Sequence, residues 1–194
     1  MRGIAELFEK HAEEFFALLT QEAGKTLPDC IGELREAVDF LRYYACQAEA
    51  LSDAEAGVFS CISPWNFPLA IFTGQIAAAL AAGNAVLAKP AENTSMIAYL
   101  ATQLMYEAGV PAAALHLIAG DGPSLGARVC SSDKITGVCF TGSTKTAQTI
   151  NRLMAQHLPP HIPLIAETGG LNAMIVDSTA LLQQAVQHVI IGAF

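Results

Sequence analysis

Charge is scarce in this chain: Asp, Glu, Lys and Arg make up 14% of its 194 residues, and acids outnumber bases eighteen to ten. The net charge of -8 argues against nucleic acid as a partner and against an anionic membrane surface. No run of about 18 residues is apolar throughout with membrane-like flanks, so no transmembrane helix is expected. The opening Met1-Arg2-Gly3-Ile4-Ala5-Glu6 lacks the apolar block of a signal peptide. Five cysteines (Cys30, Cys46, Cys61, Cys130, Cys139) are an odd number without paired spacing. That excludes a disulfide framework and points to reduced thiols, hence to the cytoplasm. His157 and His161 flank Pro159-Pro160 and share no helix face, and no acidic partner completes a metal set. His11, His116 and His188 read as surface or core-edge residues, and no Ser-His-Asp arrangement is visible.

What is abundant is apolar: 53% of the chain is hydrophobic, high for a soluble domain. A sheet covered on both faces explains it, as do surfaces buried against something else. The length suits one domain with a real core. Two helices are expected at the start. Leu7, Phe8, His11, Phe15, Leu18 and Leu19 recur at helical spacing until Gly24 to Pro28, and a second helix runs from about 29 to 51. Strands then alternate with helices. Expected strands are 57–62, 86–88, 115–118, 137–140, 162–166 and 173–176. Helices are expected over 69–82, 95–108, 123–130 and 143–157, and a last one from Ser178. The pattern predicts a helical segment over 1–54 packed on a doubly wound, mostly parallel α/β sheet domain over 55–194. The last helix stops at Phe194 with no cap, which reads as a chain cut inside an element.

Four strand ends carry chemistry. Ser63-Pro64-Trp65-Asn66-Phe67-Pro68 is a strand-to-helix corner in which two prolines restrict the backbone. A carboxamide fixed there either packs the core or donates to an oxygen that gains negative charge. Lys89 and Glu92, just past the second strand, form a solvated pair or hold the two hydroxyls of a ribose. In Phe140-Thr141-Gly142-Ser143-Thr144, Gly142 permits close backbone approach and Ser143 caps a helix whose N–H groups can meet a phosphate. No lysine precedes Ser143-Thr144, which excludes an ATP-hydrolysing phosphate loop. Gly120 to Gly126 resembles a dinucleotide fingerprint with one extra residue, or is a plain glycine turn. Glu167, after the apolar Leu164-Ile165-Ala166, either caps the Gly169-Gly170 turn or acts as a general base whose pKa partial burial raises. The cysteines are poor nucleophile candidates: Cys61 and Cys139 fall inside expected buried strands, Cys30 and Cys46 on the opening helices, and Cys130 at a helix end.

Taken together, residues 63–68, 89–92, 140–144 and 167–170 resemble the aldehyde dehydrogenase superfamily in order and spacing over nearly the whole chain. Residues 35–45, 69–75 and 167–177 are most similar to the Δ1-pyrroline-5-carboxylate (glutamate-semialdehyde) dehydrogenase modules of bifunctional proline-utilisation proteins. The resemblance implies an incomplete aldehyde dehydrogenase fold, NAD as cofactor, no metal, and a small aldehyde as the substrate of a homo-oligomeric parent enzyme. It implies that Asn66 donates to the oxyanion of a thiohemiacetal and that Glu167 activates the water that hydrolyses a thioester. Lys89 and Glu92 would hold the adenosine ribose, Trp65 and Ser143 would border the pyrophosphate, and Gly122, Pro123, Gly126 and Thr146 would line the adenine slot. Ile62, Ser63, Pro64, Thr141, Gly142, Thr168 and Gly169 complete the cofactor-binding set that it implies.

The family's nucleophilic cysteine follows the general base by a few tens of residues, and this chain ends at Phe194, before that position. The segment is therefore expected to be inactive alone. Two other readings are open on sequence: a nucleotide-binding module without catalysis, and a dehydrogenase that passes its acyl group to coenzyme A. Glu167 argues against the latter, because a water-activating base would waste the thioester.

Overall fold

Residues 1–51 and 56–193 are described by the computed structural model of the chain. The expected boundary at 54/55 and the terminal Phe194 lie outside them. The chain opens on three helices: α1 (Arg2–Lys10), α2 (Ala12–Ala23) and α3 (Leu27–Ala48). The single first helix expected from periodicity is broken at His11, whose backbone leaves the helical region at φ -100°, ψ 27°. The break brings the Phe8 and Phe15 rings together, centroids 4.9 Å apart and planes tilted by 55°, with both side chains fully buried. Gly24, at φ 65°, ends α2 in the left-handed conformation that glycine adopts without strain. Thr26 then caps α3 by accepting the Asp29 N–H, so this helix begins and ends a few residues earlier than the spacing predicts.

Five strands follow: β1 (Val58–Ile62), β2 (Ala85–Lys89), β3 (Leu115–Leu117), β4 (Gly137–Gly142) and β5 (Leu164–Thr168). All pair in parallel, in the order β3-β2-β1-β4-β5. The strands are joined through α4 (Ala70–Ala81), α5 (Ser95–Glu107), α6 (Ala127–Cys130) and α7 (Thr144–His157). A wide turn over Gly122–Gly126 precedes α6, where the sequence predicted one continuous helix.

Two apolar clusters cover the sheet. The larger joins α1 to α5, with Phe8, Phe72, Ile76, Ile97 and Met105 fully buried. The smaller lies under α7, with Ile150 and Met154 against Val138 and Phe140. The strand order reverses between β1 and β4, and such a switch point opens a crevice at the carboxyl ends of the strands. All four sequence motifs stand at those ends.

Two expectations fail near the end of the chain. Residues 173–176 form no strand, and Ile175 is 92% exposed. β-branched residues favour a strand only where a neighbour supplies ladder hydrogen bonds, and β5, the outer strand, has its one partner in β4. The last helix, α8 (Leu182–Ala193), begins four residues later than expected and buries no side chain. Among the described residues, no helix is long and apolar enough to cross a membrane.

Candidate functional site

β1 ends at Ile62, and the Ser63 N–H still donates to the Lys89 carbonyl at 3.1 Å, which ties the corner after β1 to the end of β2. The chain then turns through Pro64 to Pro68 into α4. Trp65 is 57% exposed, and Asn66 and Phe67 are exposed beside it, while Ser63 and Pro68 are buried, so the ends of the corner pack and its tip faces solvent. Gln75 braces the switch point from α4: its Nε2 donates to the Ile62 carbonyl at 3.3 Å and to Thr141 Oγ1 at 3.1 Å.

Asn66 and Glu167 border one open cleft of about 870 Å³, together with Ser63, Pro64 and Trp65 from the first corner. Thr141, Gly142, Ser143 and Thr146 form its second side, and Thr168 and Gly169 its third. Ser143 caps α7, its Oγ accepting the Thr146 N–H at 3.2 Å. A Cβ on Gly142 would stand 2.7 Å from the Phe140 ring, so a larger residue there must displace that ring.

A second cavity of about 510 Å³ adjoins the first, with Thr146 in the wall of both. Ile62, Lys89, Gly122, Pro123 and Gly126 line it, joined by Lys145, Thr149, Ile150 and Leu153 from α7. Sequence motifs single out none of these four: Ile150 and Leu153 are ordinary apolar helix residues and Lys145 and Thr149 ordinary surface ones until the fold stands α7 beside the cavity. Lys89 is 5% exposed, and its ammonium donates to the Pro90 carbonyl at 3.1 Å. Burial pushes that ammonium below the usual lysine range, while Glu92 and Asp121 act in the opposite sense. Glu92 is exposed, and its Oε1 accepts the Gly122 N–H at 2.8 Å. The carboxylate therefore fastens the Gly122 loop to the end of β2. Asp121 fastens the same loop by accepting the Ser124 N–H at 2.8 Å.

Glu167 corrects one expectation. β5 is largely exposed, with Ile165 at 53% and Glu167 itself open to solvent. The partial burial expected from an apolar strand is absent, because nothing described packs over that end of the sheet. The cysteines differ from expectation at one position. Cys61 and Cys139 face each other across β1 and β4, but Cys139 is half-buried and lines a small cavity of about 260 Å³ that Glu167 also borders. Its thiol is held below the usual range by a hydrogen bond from Cys61, whereas burial pushes Cys130 up to about 11. No cysteine lines the cleft that holds Asn66.

Sequence reasoning missed a charged pair behind the corner. Glu33, on α3, is buried, and its Oε1 accepts the N–H groups of Leu69 (2.8 Å) and Ala70 (3.2 Å) at the start of α4. Its Oε2 meets the Lys25 ammonium at 2.7 Å. The available signal was a carboxylate among Cys30, Leu34 and Ala37 on one helix face.

The profile of the aldehyde dehydrogenase family matches residues 1–194. The chain belongs to the aldehyde dehydrogenase family. Among curated relatives, the bifunctional protein PutA of Salmonella typhimurium is 53% identical over 201 residues, covering 100% of this chain and 15% of PutA. The 1-pyrroline-5-carboxylate dehydrogenase of Anoxybacillus flavithermus is 37% identical, covering 98% of this chain and 41% of that enzyme. Solved structures agree. Proline utilization A of Bradyrhizobium japonicum superposes with a TM-score of 0.93 at 50% identity, over 100% of this chain and 22% of that one. A Thermus 1-pyrroline-5-carboxylate dehydrogenase with bound NAD gives 0.88 at 32% identity, over 98% and 41%. This aldehyde dehydrogenase chain thus spans well under half the length of the relatives it matches.

Proposed function

We propose that this chain is the cofactor-binding part of an NAD-dependent aldehyde dehydrogenase that oxidises glutamate semialdehyde, the open form of Δ1-pyrroline-5-carboxylate, to glutamate in proline catabolism. The observation that carries the reading is the pair of adjoining cavities at the switch point, one holding Lys89 and the Gly122 loop and the other holding Asn66 and Glu167. The first has the size and mostly apolar wall of a small-molecule site, with a buried ammonium at one side. Lys89 donates to the adenosine ribose hydroxyls, and Glu92 accepts from them through the oxygen that Gly122 leaves free. Gly122, Pro123, Gly126 and Thr146 enclose the adenine. Trp65 and Ser143 border the pyrophosphate at the start of α7, with Ile62, Ser63, Pro64, Thr141, Gly142, Thr168 and Gly169 shaping the passage. The fixed negative charge of Glu92 disfavours a 2′-phosphate, hence NAD over NADP.

Bound NAD supplies the hydride acceptor. Asn66 donates its carboxamide N–H to the aldehyde oxygen as that oxygen gains charge under nucleophilic attack. Glu167 takes a proton from the water that releases the acid. The attacking thiolate is not one of the five cysteines of this chain. Residues 1–54 act as a helical cover on the NAD-binding unit over 55–194, and the whole enzyme is a cytoplasmic homo-oligomer. The similarity to PutA and to 1-pyrroline-5-carboxylate dehydrogenase supports the choice of substrate.

The test is NADH absorbance with glutamate semialdehyde and NAD, for a longer dehydrogenase carrying this chain and for residues 1–194 alone. The longer protein forms NADH and the isolated chain forms none. NADH production by the isolated chain, or a longer protein that prefers an unrelated aldehyde, contradicts the reading.

A further inference from the structure

The start of α4 has no cap of its own. Leu69 precedes the helix without a side-chain hydrogen bond, and Pro68 has no N–H to give. The first free N–H groups, those of Leu69 and Ala70, are both taken by Glu33 Oε1. A carboxylate at a helix N-terminus is favoured by the helix dipole and by the unmet donors there. Burying it fully is costly unless a cation pairs with it. Lys25 supplies the cation: its side chain is 12% exposed against 0% for Glu33, and the ammonium lies 2.7 Å from Oε2. The same ammonium stands 4.2 Å from the centroid of the Phe67 ring, a cation–π contact. Three interactions therefore converge on Phe67 to Ala70, the residues directly after Asn66. Lys25 sits in the turn between α2 and α3, where its own N–H donates to the Leu19 carbonyl at 3.3 Å. Both charges thus come from the helical segment that precedes the sheet.

We propose that Lys25 and Glu33 are positioning residues for the Asn66 corner. Glu33 fixes the first turn of α4, Lys25 fixes the Phe67 ring, and together they hold an otherwise exposed carboxamide in one orientation over the cleft. The catalytic meaning of that orientation rests on the proposed oxyanion role of Asn66. The ordering itself does not, and it can be measured without NAD or aldehyde.

Trp65, the single tryptophan, is the adjacent reporter. In the 194-residue chain, the anisotropy decay of Trp65 and the Asn66 carboxamide resonances are compared for wild type, Lys25→Arg and the neutral double variant Lys25→Met/Glu33→Gln. The double variant leaves no unpaired buried charge. It is expected to raise the amplitude of fast local Trp65 motion severalfold and to broaden or shift the Asn66 carboxamide signals, while resonances of β2 and β3 stay in place. Lys25→Arg keeps the wild-type signals. Should the double variant not fold, Phe67→Leu, at a partly exposed position, removes the ring under Lys25 and is expected to raise the same amplitude. Wild-type Trp65 and Asn66 signals in the double variant, or in Phe67→Leu where that one is used, overturn the proposal, as do changes spread evenly over the sheet. Loosening in the double variant, with a wild-type chain that binds no NAD, overturns the cofactor reading and leaves this one standing.

Discussion

Alanine at Asn66 is expected to lower kcat/KM for the aldehyde about 10²–10³-fold in a dehydrogenase that carries this chain, with the KM for NAD little changed. The loss falls on kcat because the carboxamide N–H matters most once the aldehyde oxygen is charged. Asn66→Asp keeps the size of the side chain and removes the donor, so it loses at least as much. The corner is exposed and Asn66 makes no hydrogen bond among those described, so neither change disturbs the core. Steady-state kinetics at saturating NAD measure the effect. A loss below about tenfold removes Asn66 from the oxyanion role.

The largest effect on stability is expected at Glu33. Glu33→Ala strips the partner from a nearly buried ammonium and leaves two helix N–H groups unmet. Removing one member of a buried, hydrogen-bonded pair costs about 3–5 kcal/mol, a large share of the roughly 5–15 kcal/mol that holds a domain together. For a chain of this length, the midpoint of thermal unfolding falls on the order of 10 °C. Glu33→Gln keeps an oxygen for the Leu69 and Ala70 N–H groups and loses less. Circular dichroism melts of the two variants give the order, and a Glu33→Ala melt within a few degrees of wild type contradicts the account.

The parts of the fold legible in the sequence are those whose cause is local. β1, β2 and β4 come from short apolar, β-branched runs closed by proline or glycine, and Ser143 caps α7 as its residue type and place suggest. Because strand-to-helix turns carry the chemistry, the motifs at 63–68, 89–92, 140–144 and 167–170 were readable too, and the fold gathers them at one switch point. What escaped depends on partners far along the chain. The break at His11 is invisible to periodicity, since Leu7, Phe8, His11 and Phe15 keep helical spacing straight through it. The run at 173–176 has the composition of a strand and pairs with no neighbour among the described residues. The burial expected of Glu167 failed likewise, because a covering element is not a property of its own sequence. Glu33 is the instructive case: its partners, Lys25 and the start of α4, come from a turn and a helix that only the fold brings together.

These strand ends are proposed to hold NAD. Titrating NAD up to millimolar concentration into the 194-residue chain, while following the fluorescence of its single tryptophan, tests it most directly. Trp65 is 57% exposed and borders the cleft, so a bound pyrophosphate beside it alters a local signal. The account predicts a saturable change that Lys89→Ala abolishes or shifts to much higher NAD. An unchanged Trp65 signal at millimolar NAD, or one that Lys89→Ala leaves intact, contradicts it.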